Sequence, residues 1–139
     1  MIGIFQSFFY SLFVIFVNFP SNKCNIILEG KKVFSQLDEI LSIPQIDVIY
    51  IGQYDLSISL GIPGDVSNPK VTELMEITLQ KACLTGKSVG CMVHSVQEAN
   101  KAILKGFSFI VYKVDCNILY DSINQFLAKI NDTGTCEIS

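Results

Sequence analysis

Residues 47–51 read D-V-I-Y-I, a short apolar run with β-branched Val48, Ile49 and Ile51, closed by Gly52. A strand with one wet face alternates apolar and polar residues. Unbroken apolarity over this length suits a strand covered on both faces, as in a parallel sheet. Gly52 lets a ligand or a second backbone come close. Asp55 follows three residues later. In barrels and open α/β folds, chemistry gathers where strands end at their C-terminal side, and Asp55 holds that kind of position. Residues 46–64, IDVIYIGQYDLSISLGIPG, thus read as buried strand, glycine, acid and tight turn.

The flanking sequence repeats the same rhythm. Residues 25–28 form a short strand ended by Glu29 and Gly30. Residues 32–41 place Val33, Phe34, Leu37, Ile40 and Leu41 on one helical face. Pro63-Gly64 fits the middle of a type II turn. Asn68 is a helix N-cap with Pro69 as first helical residue. That helix runs to about residue 85, presents Val71, Leu74, Met75, Thr78, Leu79, Ala82 and Cys83 on one side, and stops at Gly86. Residues 87–93 are a third strand. Ser95 with Glu98 makes a capping box that opens a helix to about residue 105, and Gly106 ends it. Residues 107–112 are a fourth strand. Residues 117–130 are a last helix with Ile118, Leu119, Ile123, Phe126, Leu127 and Ile130 expected to face inward. This order, strand then helix four times over, implies an α/β fold with a parallel sheet and right-handed crossovers.

Two acids follow consecutive strands, Glu29 and Asp55. Parallel neighbours lie about 4.8 Å apart, so both carboxylates are expected on one face of the sheet. With waters and a substrate completing the shell, they suit a hard divalent ion. Two solvated loop-end acids are the plainer alternative. Ser57 and Ser59 read as turn hydrogen-bonding residues, and neither has a histidine–acid partner in the sequence. His94, the sole histidine, follows the third strand on the same rim. Asp115 follows the fourth and suits a helix cap.

The run D-V-I-Y-I-G-Q-Y-D-L-S-I-S-L-G-I-P-G resembles the signature of the HpcH/HpaI aldolase/citrate lyase family, and the resemblance extends from about residue 23 to about residue 130. It implies a partial TIM (β/α)8 barrel comprising the last four βα units. It implies a metal-dependent carbon–carbon lyase, a class II aldolase acting on 2-oxo acids through pyruvate enolate chemistry. On that resemblance Glu29 and Asp55 are the metal ligands, for Mg2+ or Mn2+ with Co2+ or Zn2+ as alternatives. Gly52, Gln53, Tyr54 and Asp55 form the loop whose backbone holds the substrate carboxylate, and Asp115 is a candidate orienting residue. Departures are equally informative. Ile27 stands where the family has a glutamine, and the chain contains no arginine. The family's catalytic arginine and histidine come from the first half of the barrel, so no catalytic residue is assigned. The alternative function is a truncated, non-catalytic remnant that keeps metal binding or association with partners.

Composition sets the remaining bounds. Half the residues are hydrophobic and 17% are charged, which excludes a disordered chain. Net charge is −3 and the lysines are scattered, which argues against nucleic acid as a partner. The five cysteines are dispersed with no C-x-x-C, which disfavours a cysteine zinc site and suits a reducing compartment, hence a cytoplasmic protein. Residues 1–20 are rich in Phe, Ile and Val without a charged side chain. Three readings stand: a membrane segment, a non-native start, and an ordinary buried element. The expected division is a hydrophobic segment over 1–22, the partial barrel over 23–131 and a tail over 132–139. A complete barrel takes about 250 residues, and half of one exposes two strand edges and an inner face. Those surfaces need a second copy, a complementary fragment or the N-terminal segment as cover.

Overall fold

The computed structural model describes residues 2–6, 12–17 and 24–133. Its elements in chain order are β1 (Ile2–Gln6), β2 (Leu12–Val17), β3 (Asn25–Leu28), a 3₁₀ turn (Lys31–Gln36), α1 (Leu37–Ser42), β4 (Val48–Ile51), α2 (Gln53–Ser59), α3 (Pro69–Leu84), β5 (Ser88–Val93), α4 (Val96–Lys105), β6 (Phe109–Val114) and α5 (Asp115–Thr133). One six-stranded sheet carries them all in the order β1-β2-β6-β5-β4-β3. Strands β3 to β6 are parallel and adjacent in chain order, each followed by helix. This is the α/β arrangement of four βα units, half of a (β/α)8 barrel.

Alternation along the strands sorts two faces. Leu28, Ile49, Ile51, Val89, Cys91, Val93 and Ile110 pack outward against Leu37, Leu41, Leu56, Val71, Met75, Ala82 and Ala102 of the helices. Val48, Phe109 and Val111, with Tyr50 and Met92 beside them, form a separate cluster on the inner face. Gly90 belongs to this inner row. A Cβ there would stand 2.4 Å from Phe109 Cδ1 and 2.8 Å from the Phe109 carbonyl, so only glycine lets β5 lie this close to β6.

The connections follow the expected turn chemistry. Asp65 N–H donates to the Ile62 carbonyl at 3.1 Å while Gly64 has φ +81°, a type II turn over Pro63-Gly64. Asn68 caps α3 by accepting from Lys70 N–H at 3.1 Å. At the end of α4, Phe107 and Gly106 N–H groups reach back to Ala102 and Ile103, both at 3.0 Å, with Gly106 at φ +105°. That closure uses Phe107 to finish the helix, so the fourth parallel strand starts at Phe109, two residues later than expected.

Two further expectations are corrected, and the N-terminal segment takes one of the roles left open for it. The helix expected over 32–41 divides into a 3₁₀ turn and α1. Gly30 offers no side-chain cap, and Ser35 Oγ donates to the Lys32 carbonyl at 2.7 Å, so the first turns tighten. The N-terminal segment carries two strands: β1 and β2 pair antiparallel, and β2 pairs antiparallel with β6. It therefore covers one of the two sheet edges expected to stand open, leaving β3 at the other end. Among the described residues no helix is long and apolar enough to cross a membrane. Finally, the apolar face of α5 does not point inward. Leu119, Ile123, Phe126, Leu127 and Ile130 are all exposed. The expected tail beyond residue 133, with residues 1, 7–11 and 18–23, lies outside the described residues.

Candidate functional site

The site grows from one pair of parallel strands. Register places Leu28 beside Ile51, and Gly52 N–H donates to the Leu28 carbonyl at 3.0 Å. Glu29 and Gly52 therefore leave the sheet side by side at its C-terminal end. Gly52 bends the chain into α2, and its carbonyl accepts from Leu56 N–H at 2.8 Å. The sequence reading places no helix here; α2 lies between Gly52 and the tight turns, which follow it at residues 60–64. Asp55 is the third residue of α2, where unpaired first-turn N–H groups favour a negative side chain.

A Cβ built on Gly52 would stand 3.1 Å from Glu29 Cγ, 3.6 Å from Asp55 Oδ2 and 3.6 Å from Ile27 Cγ2. The two acidic side chains thus approach one point, with Glu29 Cγ and Asp55 Oδ2 separated by no more than the sum of the first two distances. Glycine is what leaves the space between them. Both residues are solvent-exposed. Two oxygen donors open to water suit a hard divalent cation that keeps several waters or takes substrate oxygens. Among the described residues no group of three or more His, Cys, Asp or Glu is placed to hold one ion. His94 and Asp115 therefore do not complete the pair. The His94 ring meets the Tyr54 ring edge-on at 6.4 Å, and its backbone N–H donates to Glu98 Oε2 at 2.7 Å. Asp115 Oδ1 accepts from Cys116 N–H at 2.7 Å, at the start of α5.

The two signature serines make the local bonds expected of them, and one reaches further. Ser57 Oγ, fully buried, donates to the Tyr54 carbonyl at 2.6 Å and accepts from Gly64 N–H at 3.0 Å. Ser59 Oγ donates to the Leu56 carbonyl at 2.9 Å and accepts from Lys31 N–H at 3.0 Å. The latter bond ties the segment after Glu29 to the helix that carries Asp55. Gln53 and Tyr54 turn their side chains elsewhere: Gln53 Nε2 donates to Met75 Sδ at 3.3 Å, and Tyr54 faces His94.

Sequence reasoning passed over Tyr50. Its place as the one phenol in an aliphatic strand, in register with Ile27, was the available signal. The ring lies on the inner face, 6.1 Å from the Phe109 ring and edge-on to it. Burial holds its hydroxyl well above the ordinary phenol range, with Cys91 and the Asp55 carboxylate adding to the effect. A cleft of about 550 Å³ opens between α3 and α4, lined by Gln53, Met75, Glu76, His94, Glu98 and Lys101 among others, and it touches neither Glu29 nor Asp55.

A family model for HpcH/HpaI aldolase/citrate lyase matches residues 22–120. The 2-keto-3-deoxy-L-rhamnonate aldolase of Escherichia coli (strain K12) is 33% identical over 101 residues, 73% of this chain and 38% of the relative. The chain thus spans about two fifths of the length of the curated relatives it matches. Among solved structures, an HpcH/HpaI aldolase/citrate lyase family protein from Burkholderia cenocepacia J2315 superposes with a TM-score of 0.74 at 24% identity, over 78% of this chain and 42% of that one. The citrate synthase SbnG superposes with a TM-score of 0.73 at 22% identity, over 81% and 46%. At these identities the likeness speaks for the fold.

Proposed function

The chain belongs to the HpcH/HpaI aldolase/citrate lyase family, and from that premise we propose that it is a metal-dependent carbon–carbon lyase acting on 2-oxo acids and releasing pyruvate. The observation that carries the reading is the meeting of Glu29 and Asp55 over Gly52. These two residues would hold Mg2+ or Mn2+, and their oxygen donors and open exposure fit such an ion. When bound, the ion supplies Lewis-acid polarisation of a keto oxygen.

The chain's own groups do the positioning. Backbone N–H groups in the first turn of α2, from Gln53 to Asp55, would receive a substrate carboxylate. The Ser59–Lys31 bond and the Gly52–Leu28 bond fix the spacing of the two chain segments that carry the carboxylates before any ligand arrives. Ile27, exposed beside Gly52, gives the site an apolar wall. The 2-keto-3-deoxy-L-rhamnonate aldolase relative supports a 2-oxo acid as the substrate class.

A second reading rests on composition: no arginine exists in the chain to stabilise developing negative charge, so the same pair would bind a cation without turnover. One assay separates the two. Purified chain is incubated with a 4-hydroxy-2-oxo acid and Mn2+ or Mg2+, and pyruvate is followed by coupled NADH oxidation, with binding of each ion measured by calorimetry. Metal-dependent pyruvate release lost in Asp55→Asn supports the lyase. Binding without release supports the second reading, and failure to bind either ion refutes both.

A further inference from the structure

Register lines up four residues across the parallel strands: Ile27 beside Tyr50, Tyr50 beside Gly90, and Gly90 beside Phe109. Side chains alternate along a strand, so Tyr50 shares the inner face with Gly52, two residues and about 6.6 Å further along the chain. Glu29 Cγ and Asp55 Oδ2 converge on that same position at Gly52. Gly90 carries no side chain and the Phe109 ring lies over it, which brings the ring edge-on to Tyr50 at 6.1 Å. Among the described residues nothing hydrogen-bonds the Tyr50 hydroxyl, and no buried side-chain polar atom is left without a partner. The oxygen therefore opens to solvent while its ring is braced. The Asp55 carboxylate lies close enough to disfavour ionisation of the phenol, which keeps it a donor.

Within the inner cluster of Val48, Tyr50, Met92, Phe109 and Val111, Tyr50 alone carries a hydrogen-bond donor on its side chain. Ile27, next in the row toward the open edge, is exposed and offers none. The chain has no arginine to meet an anion on this face. A donor without a protein partner gives up no internal bond when it turns to a ligand, and the Phe109 ring restricts where the phenol can point. We propose that Tyr50 is a substrate-binding residue: its hydroxyl donates a hydrogen bond to an oxygen of a small 2-oxo acid held at the Glu29–Asp55 pair. The proposal rests on the reading of that pair as a cation site for 2-oxo acids, and adds to it the side chain that receives the anion from the inner face.

Tyr50→Phe removes the oxygen and keeps the ring. The oxygen has no partner in the free chain, so the urea midpoint should stay native. Calorimetry titrates the native and variant chains with Mn2+ alone, then the Mn2+-loaded chains with pyruvate and with oxalate, whose adjacent oxygens resemble those of a 2-oxo acid. Mn2+ affinity should be unchanged within about twofold, while both anions weaken about 10- to 100-fold, the loss of one hydrogen bond to a charged acceptor. A variant that does not unfold cooperatively is replaced by a reading on tyrosine labelled with 13C at Cζ: oxalate must shift a tyrosine resonance in the native chain and again in Tyr54→Phe. Equal anion affinity in native and Tyr50→Phe chains overturns the proposal and leaves the cation site standing, as does an unmoved tyrosine resonance. Mn2+ affinity that falls as far as anion affinity also overturns it, because Tyr50 then shapes the cation site instead. So does a native chain that binds Mn2+ but neither anion. A native chain that binds no Mn2+ fails the functional reading itself, and the proposal falls with it.

Discussion

Replacing Gly52 tests the geometry on which the functional reading stands. In Gly52→Ala the new methyl sits 3.1 Å from Glu29 Cγ, where an unstrained carbon contact needs about 3.5 Å or more. Glu29 is exposed and can yield by a few tenths of an ångström. The backbone at 52, φ −76° and ψ 82°, lies outside the left-handed region, so alanine is not strained there. Removing glycine also lowers the entropy of the unfolded chain by a comparable amount. Stability should therefore change by less than about 1 kcal/mol. The cation site should not escape so lightly, since the methyl lies within 3.6 Å of both Glu29 Cγ and Asp55 Oδ2. We expect Mn2+ affinity to fall about 10- to 100-fold, the range seen when ligands are re-aimed. Gly52→Val adds two methyls about 1.5 Å beyond a Cβ that already stands 3.1 Å from Glu29 Cγ and 3.6 Å from both Asp55 Oδ2 and Ile27 Cγ2. It should cost about 1–3 kcal/mol by overpacking and abolish Mn2+ binding. Calorimetric titration with Mn2+, run beside urea unfolding of the same samples, separates the two effects. Native-like Mn2+ affinity in the valine variant would show that the carboxylates do not share an ion over Gly52, and the reasoning would fail.

Other expectations follow from single contacts. Glu29→Gln and Asp55→Asn should each lose Mn2+ binding while unfolding at nearly the native urea midpoint, because both side chains are exposed. Ser57→Ala removes a fully buried hydroxyl with its bonds to the Tyr54 carbonyl and Gly64 N–H, so urea unfolding should report a loss of about 0.5–1.5 kcal/mol. Gly90→Ala drives a Cβ into the Phe109 ring and carbonyl, and should destabilise by more than about 3 kcal/mol or prevent folding, read as loss of soluble chain and of cooperative unfolding. Cys91 is pushed up from 9.0 to about 12, by burial first and the Glu98 charge second. Between those pH values the unfolded thiol ionises while the folded one keeps its proton, so this contribution is intact below pH 9.0 and is lost as pH rises toward about 12. Stability measured across that window should fall with rising pH, and the fall should shrink in Cys91→Ala.

The amino-acid order alone determined the local events. Apolar runs at 25–28, 47–51 and 87–93, stop signals at Gly86 and Gly106, the Asn68-Pro69 start and the Ser95–Glu98 box are short-range chemistry, and each acts within a few residues of itself. Four βα units in sequence then leave little choice but a parallel sheet. Pairing across the chain was decided only in the tertiary structure. Whether residues 2–6 and 12–17 become strands depends on the free edge that β6 offers, which no local pattern announces. Whether the apolar side of α5 is buried depends on where Lys113 turns the chain, not on the spacing of Leu119, Ile123 and Phe126. Glu29 and Asp55 could be named from their places after strands, but the space between them comes from β3 lying in register beside β4 with no side chain at residue 52. A hydrogen bond within a turn is settled by neighbours in sequence. A shared face or a shared ion needs two segments brought together, and that depends on the packing of the whole chain.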